Sequence, residues 1–211
     1  MDILEQLGIV PVDYSVLESL LGGYKSPSNK IANLEREGKI VRLKKGLFVI
    51  SPNVSRHLLS NELIANHIYG PSYISFESAL RYYGIIPEHV FTIRSVTLKR
   101  SRNFSNSIAN YEYTAATSTY YPIGIRQGFI DNKYTFLIAS PEKAICDMLA
   151  FTSRLRLQSL KALHTYLEHD LRLDMSYIKN LDVNIIEQCA MVGKKRKNLN
   201  LLYKLVKYEC L

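Results

Sequence analysis

Residues 14–51 have the sequence YSVLESLLGGYKSPSNKIANLEREGKIVRLKKGLFVIS, and this stretch decides the fold of the chain's beginning. Apolar residues recur at helical spacing from Val16 to Leu21, and Gly22-Gly23 ends that helix because glycine adopts the left-handed cap conformation without steric cost. Ser26-Pro27 begins a second helix, since proline suits the first helical position, and we expect it to run to Glu37.

Two short β-rich runs follow the second helix. Ile40–Leu43 and Leu47–Ile50 are joined by Lys44-Lys45-Gly46, which predicts a β-hairpin with a basic tip. Two helices joined by a turn and followed by a hairpin form the plan of a winged helix-turn-helix, a module that commonly binds DNA.

The local charge supports a nucleic-acid partner. Residues 24–46 hold seven basic side chains and two acidic ones, a difference of +5 in a chain whose formal net charge is +8. Positive charge concentrated in this way is expected where DNA phosphates dock. We therefore expect Lys25, Ser28, Lys30, Lys44 and Lys45 to contact the DNA backbone.

The second helix has one apolar side and one polar side. Pro27, Ile31 and Leu34 share the side expected to face the core. The opposite side carries the residues that we expect to contact bases, because asparagine can pair with adenine and arginine with guanine in the major groove. These are Asn29, Asn33 and Arg36, with the small Ala32 between them.

The polar, positive face of this helix does not by itself establish DNA binding. Such a face is often only a solvated surface, and small winged modules also bind proteins. The alternative function is therefore a protein-interaction module without significant DNA binding.

Composition places the chain among ordinary globular proteins, with 211 residues, 47% hydrophobic and 22% charged, enough for one large domain or two small ones. No apolar run approaches the length of a membrane helix, and the N-terminus does not resemble a signal peptide, so we expect no membrane association and a cytoplasmic location. Cys146, Cys189 and Cys210 lie too far apart for a zinc motif, and we expect neither metal nor cofactor.

The chain divides at Ser51-Pro52-Asn53, where we expect a winged domain (1–52) to end and a separable C-terminal domain (53–211) to begin. The fold class is α+β. The second domain is expected to combine helices with a small, mostly antiparallel sheet over residues 61–139, followed by a helical tail over 140–211. Strands are predicted at 90–98, 111–114, 120–125 and in a hairpin around 131–133, and helix caps at Ser15, Ser26, Asn61, Ser75 and Ser140.

Catalytic motifs are mostly absent. Ser140 and Lys143 match the S-x-x-K pattern of serine acyl-enzymes, but a helix cap explains Ser140, and aspartate is expected to be tolerated there. His164 and His169 are five residues apart and do not stack as metal ligands usually do. We therefore expect a protein that is not an enzyme.

Further basic clusters lie outside the winged region. Lys194, Lys195, Arg196 and Lys197 form either a solvated loop or a second contact to DNA or to an acidic partner. A third cluster on and after a strand contains Arg94, Lys99, Arg100 and Arg102, and alternation with buried side chains would place Arg94 and Lys99 on the solvent-exposed face of the sheet.

Several segments of the chain form a familiar set: SNELIA at 60–65, GPSYISFESAL at 70–80, GIIPE at 84–88 and SPEKA at 140–144 with Asp147, together with KKGLFV at 44–49. These segments resemble the AbiEi-type antitoxins, which are predicted transcriptional regulators of abortive-infection systems. The resemblance spans about residues 14–150.

The resemblance implies a two-part protein. Its winged domain would bind inverted repeats in double-stranded DNA at its own promoter and repress the operon. Its C-terminal part would counter a toxin, typically a nucleotidyltransferase-like protein. The resemblance supplies no catalytic residue. A nucleic-acid-processing enzyme is the most distant alternative.

Overall fold

The structure is a computed structural model that describes residues 4–87 and 91–209, with only the backbone of Tyr208 and Glu209. Its N-terminal unit begins with a 3-10 turn at Glu5–Leu7. The following elements are β1 (Val12–Asp13), α1 (Tyr14–Leu20), α2 (Pro27–Arg36), β2 (Ile40–Lys44), β3 (Leu47–Ile50) and α3 (Pro52–Ser55). The predicted pair of helices and the predicted hairpin are therefore present.

The three strands of this unit form an antiparallel sheet in the order β1-β3-β2. A register shift between Arg42 and Lys44 interrupts the pairing of β2 with β3. One face of the sheet packs on the two helices, and a small core forms there around Leu17, Ile31, Leu34, Phe48 and Ile50. The spacing of the apolar residues on α1 and α2 makes this core possible.

The larger unit begins with helices and continues with a sheet. It contains α4 (Asn61–Ile68), β4 (Ser72–Ile74), α5 (Phe76–Tyr82), β5 (Thr92–Thr97), β6 (Arg102–Ser105), β7 (Asn110–Ala115), β8 (Ile125–Ile130) and β9 (Tyr134–Ala139). From Pro141 to Glu209 all the regular elements of the described chain are helical. The elements are α6 (Pro141–Phe151), α7 (Leu160–Thr165), a π-helical turn (Tyr166–Asp170), a 3-10 helix (Met175–Asn180), α8 (Val183–Val192) and α9 (Arg196–Glu209).

The second sheet has six strands in the order β6-β7-β5-β4-β9-β8. Three of its pairings are antiparallel, but β5 pairs with β7 and β4 pairs with β9 in parallel. The sheet is therefore mixed, and it is larger than the small, mostly antiparallel sheet that the sequence predicts. The molecule as a whole is a mixed α/β protein.

Helix α6 lies at the centre of the larger unit. Every residue from 141 to 150 is buried, because the helix contacts α5, α8 and α9. Its capping serine, Ser140, accepts a hydrogen bond from the Lys143 amide at 3.3 Å, as predicted.

The hairpin β2–β3 is shared between the two units. All four residues of β3 are buried. Phe48 and Ile50 face the small N-terminal core, whereas Leu47 and Val49 belong to the large core of the second unit. Since side chains alternate along a strand, one four-residue strand contributes to two hydrophobic cores.

Some local predictions are wrong. Residues 120–124 form turns instead of a strand, and Gly124 has φ +65°, a conformation that suits glycine. Helix α1 is preceded by Asp13, so Ser15 lies inside the helix, and Ser60, not Asn61, caps α4. Glu88, Val90 and Cys210, which belong to predicted motifs, lie outside the described residues.

Candidate functional site

The polar face of α2 is exposed to solvent. Ile31 and Leu34 anchor the helix in the small core, at 2% and 3% exposure. All the residues expected to contact bases, and the small residue between them, are exposed on the other side: Asn29, Ala32, Asn33 and Arg36. Of the residues expected to contact the DNA backbone, Lys25, Ser28 and Lys45 are exposed and Lys30 is half-buried.

Two side chains on this face contact each other. The Arg36 guanidinium donates a hydrogen bond to the side-chain oxygen of Asn33, one helical turn away. Near the start of the helix, the Lys30 ammonium lies 5.0 Å from the centre of the Tyr24 ring. Both contacts are at the surface, where an exchange of partners is energetically inexpensive.

Two of the seven basic residues in residues 24–46 form ion pairs. Arg42 donates two hydrogen bonds to Glu35, at 2.8 and 2.5 Å, and these hydrogen bonds lower the pKa of Glu35. Lys39 lies 2.9 Å from the carboxylate of Glu37. The two acidic residues of the segment are thus paired with Arg42 and Lys39, although the charges of Lys30 and Arg36 also lower the pKa of Glu37.

The two lysines of the hairpin have different surroundings. Lys45 is exposed at the tip, as the sequence predicts. Lys44 is half-buried, and its ammonium donates a hydrogen bond of 2.5 Å to the Ile68 carbonyl at the end of α4. Burial also lowers the pKa of Lys44. The register shift in β2 turns Lys44 toward the larger unit, so its expected position over the DNA backbone needs correction.

The second basic cluster lies at the start of α9. Lys195 donates a hydrogen bond to the Thr152 carbonyl, and Lys197 donates one to the Gln158 side chain. Lys194 lies 5.7 Å from the centre of the Phe151 ring. The cluster is therefore held against the segment between α6 and α7, and Arg196 is exposed beside it.

The third basic cluster is dispersed. Arg94 is only 21% exposed, forms an ion pair of 2.8 Å with Glu77, and lies 4.0 Å from the centre of the Phe76 ring. Glu77, on α5, therefore pairs with Arg94 on β5. Lys99, Arg100 and Arg102 are exposed on or near β6.

A buried polar cluster joins α6 to β4 and its flanking residues, and sequence reasoning did not predict that these side chains meet. Lys143 and Asp147 are both completely buried and lie 3.3 Å apart. The Asp147 carboxylate also accepts hydrogen bonds from Ser75 at 2.6 Å and Tyr73 at 3.1 Å. The Lys143 ammonium donates to the Tyr120 carbonyl at 3.1 Å and lies 3.2 Å from the centre of that ring.

This cluster is structural in its geometry. Each charge has a partner of opposite sign and further hydrogen bonds, which is the arrangement that a buried ion pair needs. The sequence predicts a helix cap at Ser75, but its hydroxyl donates to Asp147 instead. The only local signal is the spacing of four residues between Lys143 and Asp147 on α6.

Ser140 is also completely buried, which corrects one expectation about it. An aspartate there would cap the helix, but its carboxylate would lose its hydration. The S-x-x-K pair is not arranged for catalysis, because the Lys143 ammonium is directed to Asp147 and Tyr120.

Among the described residues, no group of three or more histidine, cysteine or acidic side chains is arranged to hold a metal ion. None of the described helices has both the length and the apolar character that crossing a membrane requires.

Comparison with known proteins shows a similar fold and no family. No family model and no curated protein matches the chain. The structure is similar to that of the RV2827C protein from Mycobacterium tuberculosis, with a TM-score of 0.50 and 11% identity over 95% of this chain and 76% of that one. At such low identity the similarity supports the mixed fold alone.

Two Helicobacter pylori structures also match, a putative nucleotidyltransferase and JHP933. Each has a TM-score of 0.30 and 9% identity over 66% of this chain, and the matches cover 86% and 84% of those chains, respectively. Similarity at this level carries no argument about function.

Proposed function

We propose that the protein is a sequence-specific transcriptional repressor whose N-terminal unit is a winged helix-turn-helix that binds double-stranded DNA. The observation that carries the proposal is the exposed face of α2. Asn29, Asn33 and Arg36 lie on it, while Ile31 and Leu34 hold the opposite side in the core. A helix fixed in this way presents side chains that can pair with base edges in the major groove.

The surrounding charge suits a phosphate backbone. Lys25, Ser28 and Lys30 border the α2 face, and Lys45 extends from the tip of the hairpin. Glu35 and Glu37 offset only two of the seven basic side chains of residues 24–46, so an excess of positive charge remains for phosphates. Contacts of this kind position a protein on DNA and make its binding depend on salt.

The biological setting rests on the resemblance to AbiEi-type antitoxins. In that setting the repressor binds an inverted repeat in its own promoter, and the operon also encodes a nucleotidyltransferase-like toxin. The C-terminal unit would then provide the antitoxin function in the cytoplasm, without enzymatic activity of its own.

A gel-shift assay with DNA from upstream of the gene tests the proposal. We expect a complex whose affinity falls steeply as salt increases from about 50 to about 200 mM. Asn33→Ala and Arg36→Ala should each cost about 1–3 kcal/mol on this DNA and much less on random DNA. Asn53→Ala and Arg81→Ala, two exposed residues away from α2, are the matched controls. Absence of a salt-sensitive complex would refute DNA binding.

The rival function is a protein-interaction module that neutralises a toxin without binding DNA. The observation in its favour is the hairpin, because β3 is buried on both sides and Lys44 contacts α4. The hairpin is therefore less available to contact a DNA groove than a fully exposed wing would be. Loss of repression with full toxin neutralisation in Arg36→Ala supports the repressor. Full toxin neutralisation by the parent protein, with no repression by either the parent or Arg36→Ala, supports the rival.

A further inference from the structure

Two distant segments of the chain are basic and contain no acidic residue. Residues 152–161 hold three basic side chains, and residues 190–207 hold six. Together they carry nine positive charges, which is more than the net charge of +8 of the whole chain and more than the +5 of residues 24–46. Such a concentration attracts an acidic partner.

The fold joins these two segments through Asn198, a buried residue of α9. Its amide group donates hydrogen bonds to the carbonyls of Leu149 and Leu155, both at 3.3 Å. Its oxygen accepts a hydrogen bond from the Leu157 amide at 3.2 Å. This side chain therefore fixes the loop after α6 against the first turn of α9.

The result is a positive surface around the start of α9, which we call the α9 basic surface. Burial is the main cause that lowers the pKa of Lys195, and the nearby charge of Arg156 lowers it further. The positive end of the α9 dipole points to the same place. The basic side chains that form the surface are Arg154, Arg156, Lys194, Lys195, Arg196 and Lys197.

A cleft opens within this surface. It has a volume of about 350 Å³ and is lined by polar and apolar side chains, among them Arg156, Gln158, Lys195 and Lys197. Arg156 and Gln158 are exposed at its rim. A carboxylate entering the cleft would therefore meet several cations at once.

Exposed apolar side chains adjoin the cations. Met191 and Val192, the last residues of α8, are 60% and 39% exposed and directly precede Gly193-Lys194. An exposed methionine adds little to phosphate binding, but it offers contact area to an apolar side chain of a protein. The combination of charge and apolar area thus favours a protein over a nucleic acid.

We propose that the α9 basic surface docks an acidic, amphipathic segment of a partner protein. Carboxylates of the segment contact Arg156, Arg196 and their neighbours, and an apolar side chain covers Met191. This inference goes beyond DNA binding by α2 and does not depend on it.

Fluorescence anisotropy with the full chain tests the docking. The first probe is a labelled synthetic peptide with alternating pairs of glutamate and leucine. The second is a peptide of equal charge that has serine in place of leucine, and the third is a random-sequence DNA duplex. We expect saturable, salt-sensitive binding of the first probe and at least several-fold weaker binding of the serine peptide.

Charge-reversal variants locate the site. R156E/R196E should weaken binding of the first peptide about tenfold or more, because close charge pairs across interfaces contribute strongly to affinity. R81E/R100E, which makes the same charge change on exposed residues elsewhere, should leave binding nearly unchanged. M191S should weaken binding of the leucine peptide and not that of the serine peptide. The neutral variant R156Q/R196Q repeats the test if charge reversal disturbs folding.

Several outcomes overturn the proposal. Equal binding of the leucine and serine peptides would show that no apolar contact contributes. Equal losses of peptide affinity in R156E/R196E and R81E/R100E would show that only the net charge of the protein matters. If R156E/R196E weakens binding of the duplex and leaves peptide binding intact, the surface binds nucleic acid instead. Binding of the upstream DNA through α2 is measured separately and is expected to be unchanged by M191S.

Discussion

At the scale of single residues, the pair Lys143–Asp147 shows how strongly one side chain can depend on another. Both are completely buried, and Asp147 has two further donors in Tyr73 and Ser75. Removing the ammonium would leave a carboxylate without its main partner in a medium that solvates charge poorly. The pair therefore matters more for stability than an ion pair at the surface, such as Lys39–Glu37.

Lys143→Met is expected to destabilise the protein by about 3–5 kcal/mol, because it leaves the Asp147 charge buried and unpaired. The double variant Lys143→Met/Asp147→Leu should recover part of this loss. Urea denaturation measures both. Lys204→Met, at an exposed position, is the control and should change stability by no more than about 0.5 kcal/mol. If Lys143→Met and Lys204→Met lower the free energy of unfolding equally, the buried pair has no special role in stability.

Ser140→Ala should cost about 0.5–2 kcal/mol, the usual value of a lost helix cap. Ser140→Asp should cost more than alanine, because Ser140 is completely buried and a carboxylate there would be desolvated. Melting temperatures of the two variants decide the order. A Ser140→Asp protein as stable as the parent would show that the site admits water or a cation.

At the scale of elements, the hairpin β2–β3 separates two lysines that are neighbours in sequence. Lys44 donates to a carbonyl at the end of α4, where a helix dipole favours positive charge, and Lys45 faces solvent. One is thus part of the fold, and the other is free to contact phosphates.

Lys44→Glu is expected to lower stability, because a carboxylate would face the Ile68 carbonyl and the negative end of α4. Lys45→Glu should leave stability unchanged and weaken binding to specific and random DNA alike. Urea denaturation together with a gel shift separates the two effects. The assignment fails if Lys45→Glu, and not Lys44→Glu, is the destabilising change.

The sequence predicts elements with strong periodicity and clear ends. The second helix is expected from Pro27 to Glu37 and is observed at Pro27–Arg36, and the predicted helical tail after residue 140 contains α6 to α9. The strand predicted at 120–125 is wrong, because β propensity is outweighed by the turn that Gly124 completes. Short strands such as β4 and β6 depend on their neighbours in the sheet and leave little local pattern.

The same limit applies to the candidate site. The exposed side of α2 follows from helical spacing alone. The contact of Ser75 with Asp147 joins residues 72 positions apart, and no local pattern contains it. The burial of β3 does have a local signal, since the apolar run Leu47–Ile50 is typical of a strand buried on both faces.

At the scale of the whole molecule, the boundary at Ser51-Pro52-Asn53 divides the sequence into two parts, but hydrophobic packing crosses it in both directions. Leu43, Leu47 and Val49, which precede the boundary, lie in the core of the larger unit. Val54, which follows it, packs against the small core. The two units therefore support each other's hydrophobic surfaces.

A fragment of residues 53–211 is expected to be less stable than the full chain and prone to aggregate, because it exposes the apolar surface that the hairpin covers. Thermal melting and size-exclusion chromatography measure this. The full chain with Asn33→Ala and Arg36→Ala is the control, and it should melt like the parent while losing DNA binding. A soluble fragment with an unchanged cooperative melt would demonstrate independent units.

The shared hairpin also limits how the protein can be rebuilt by recombination. A strand with one face in each core must remain complementary to two surfaces at once. A substitution at Phe48 therefore changes packing in the small core, and one at Val49 changes packing in the large core. The hairpin of an N-terminal unit taken from a distant relative would not be complementary to the core of this protein's larger unit. For the proposed repressor, we therefore expect exchange of the exposed α2 residues to change DNA specificity more readily than replacement of the whole N-terminal unit.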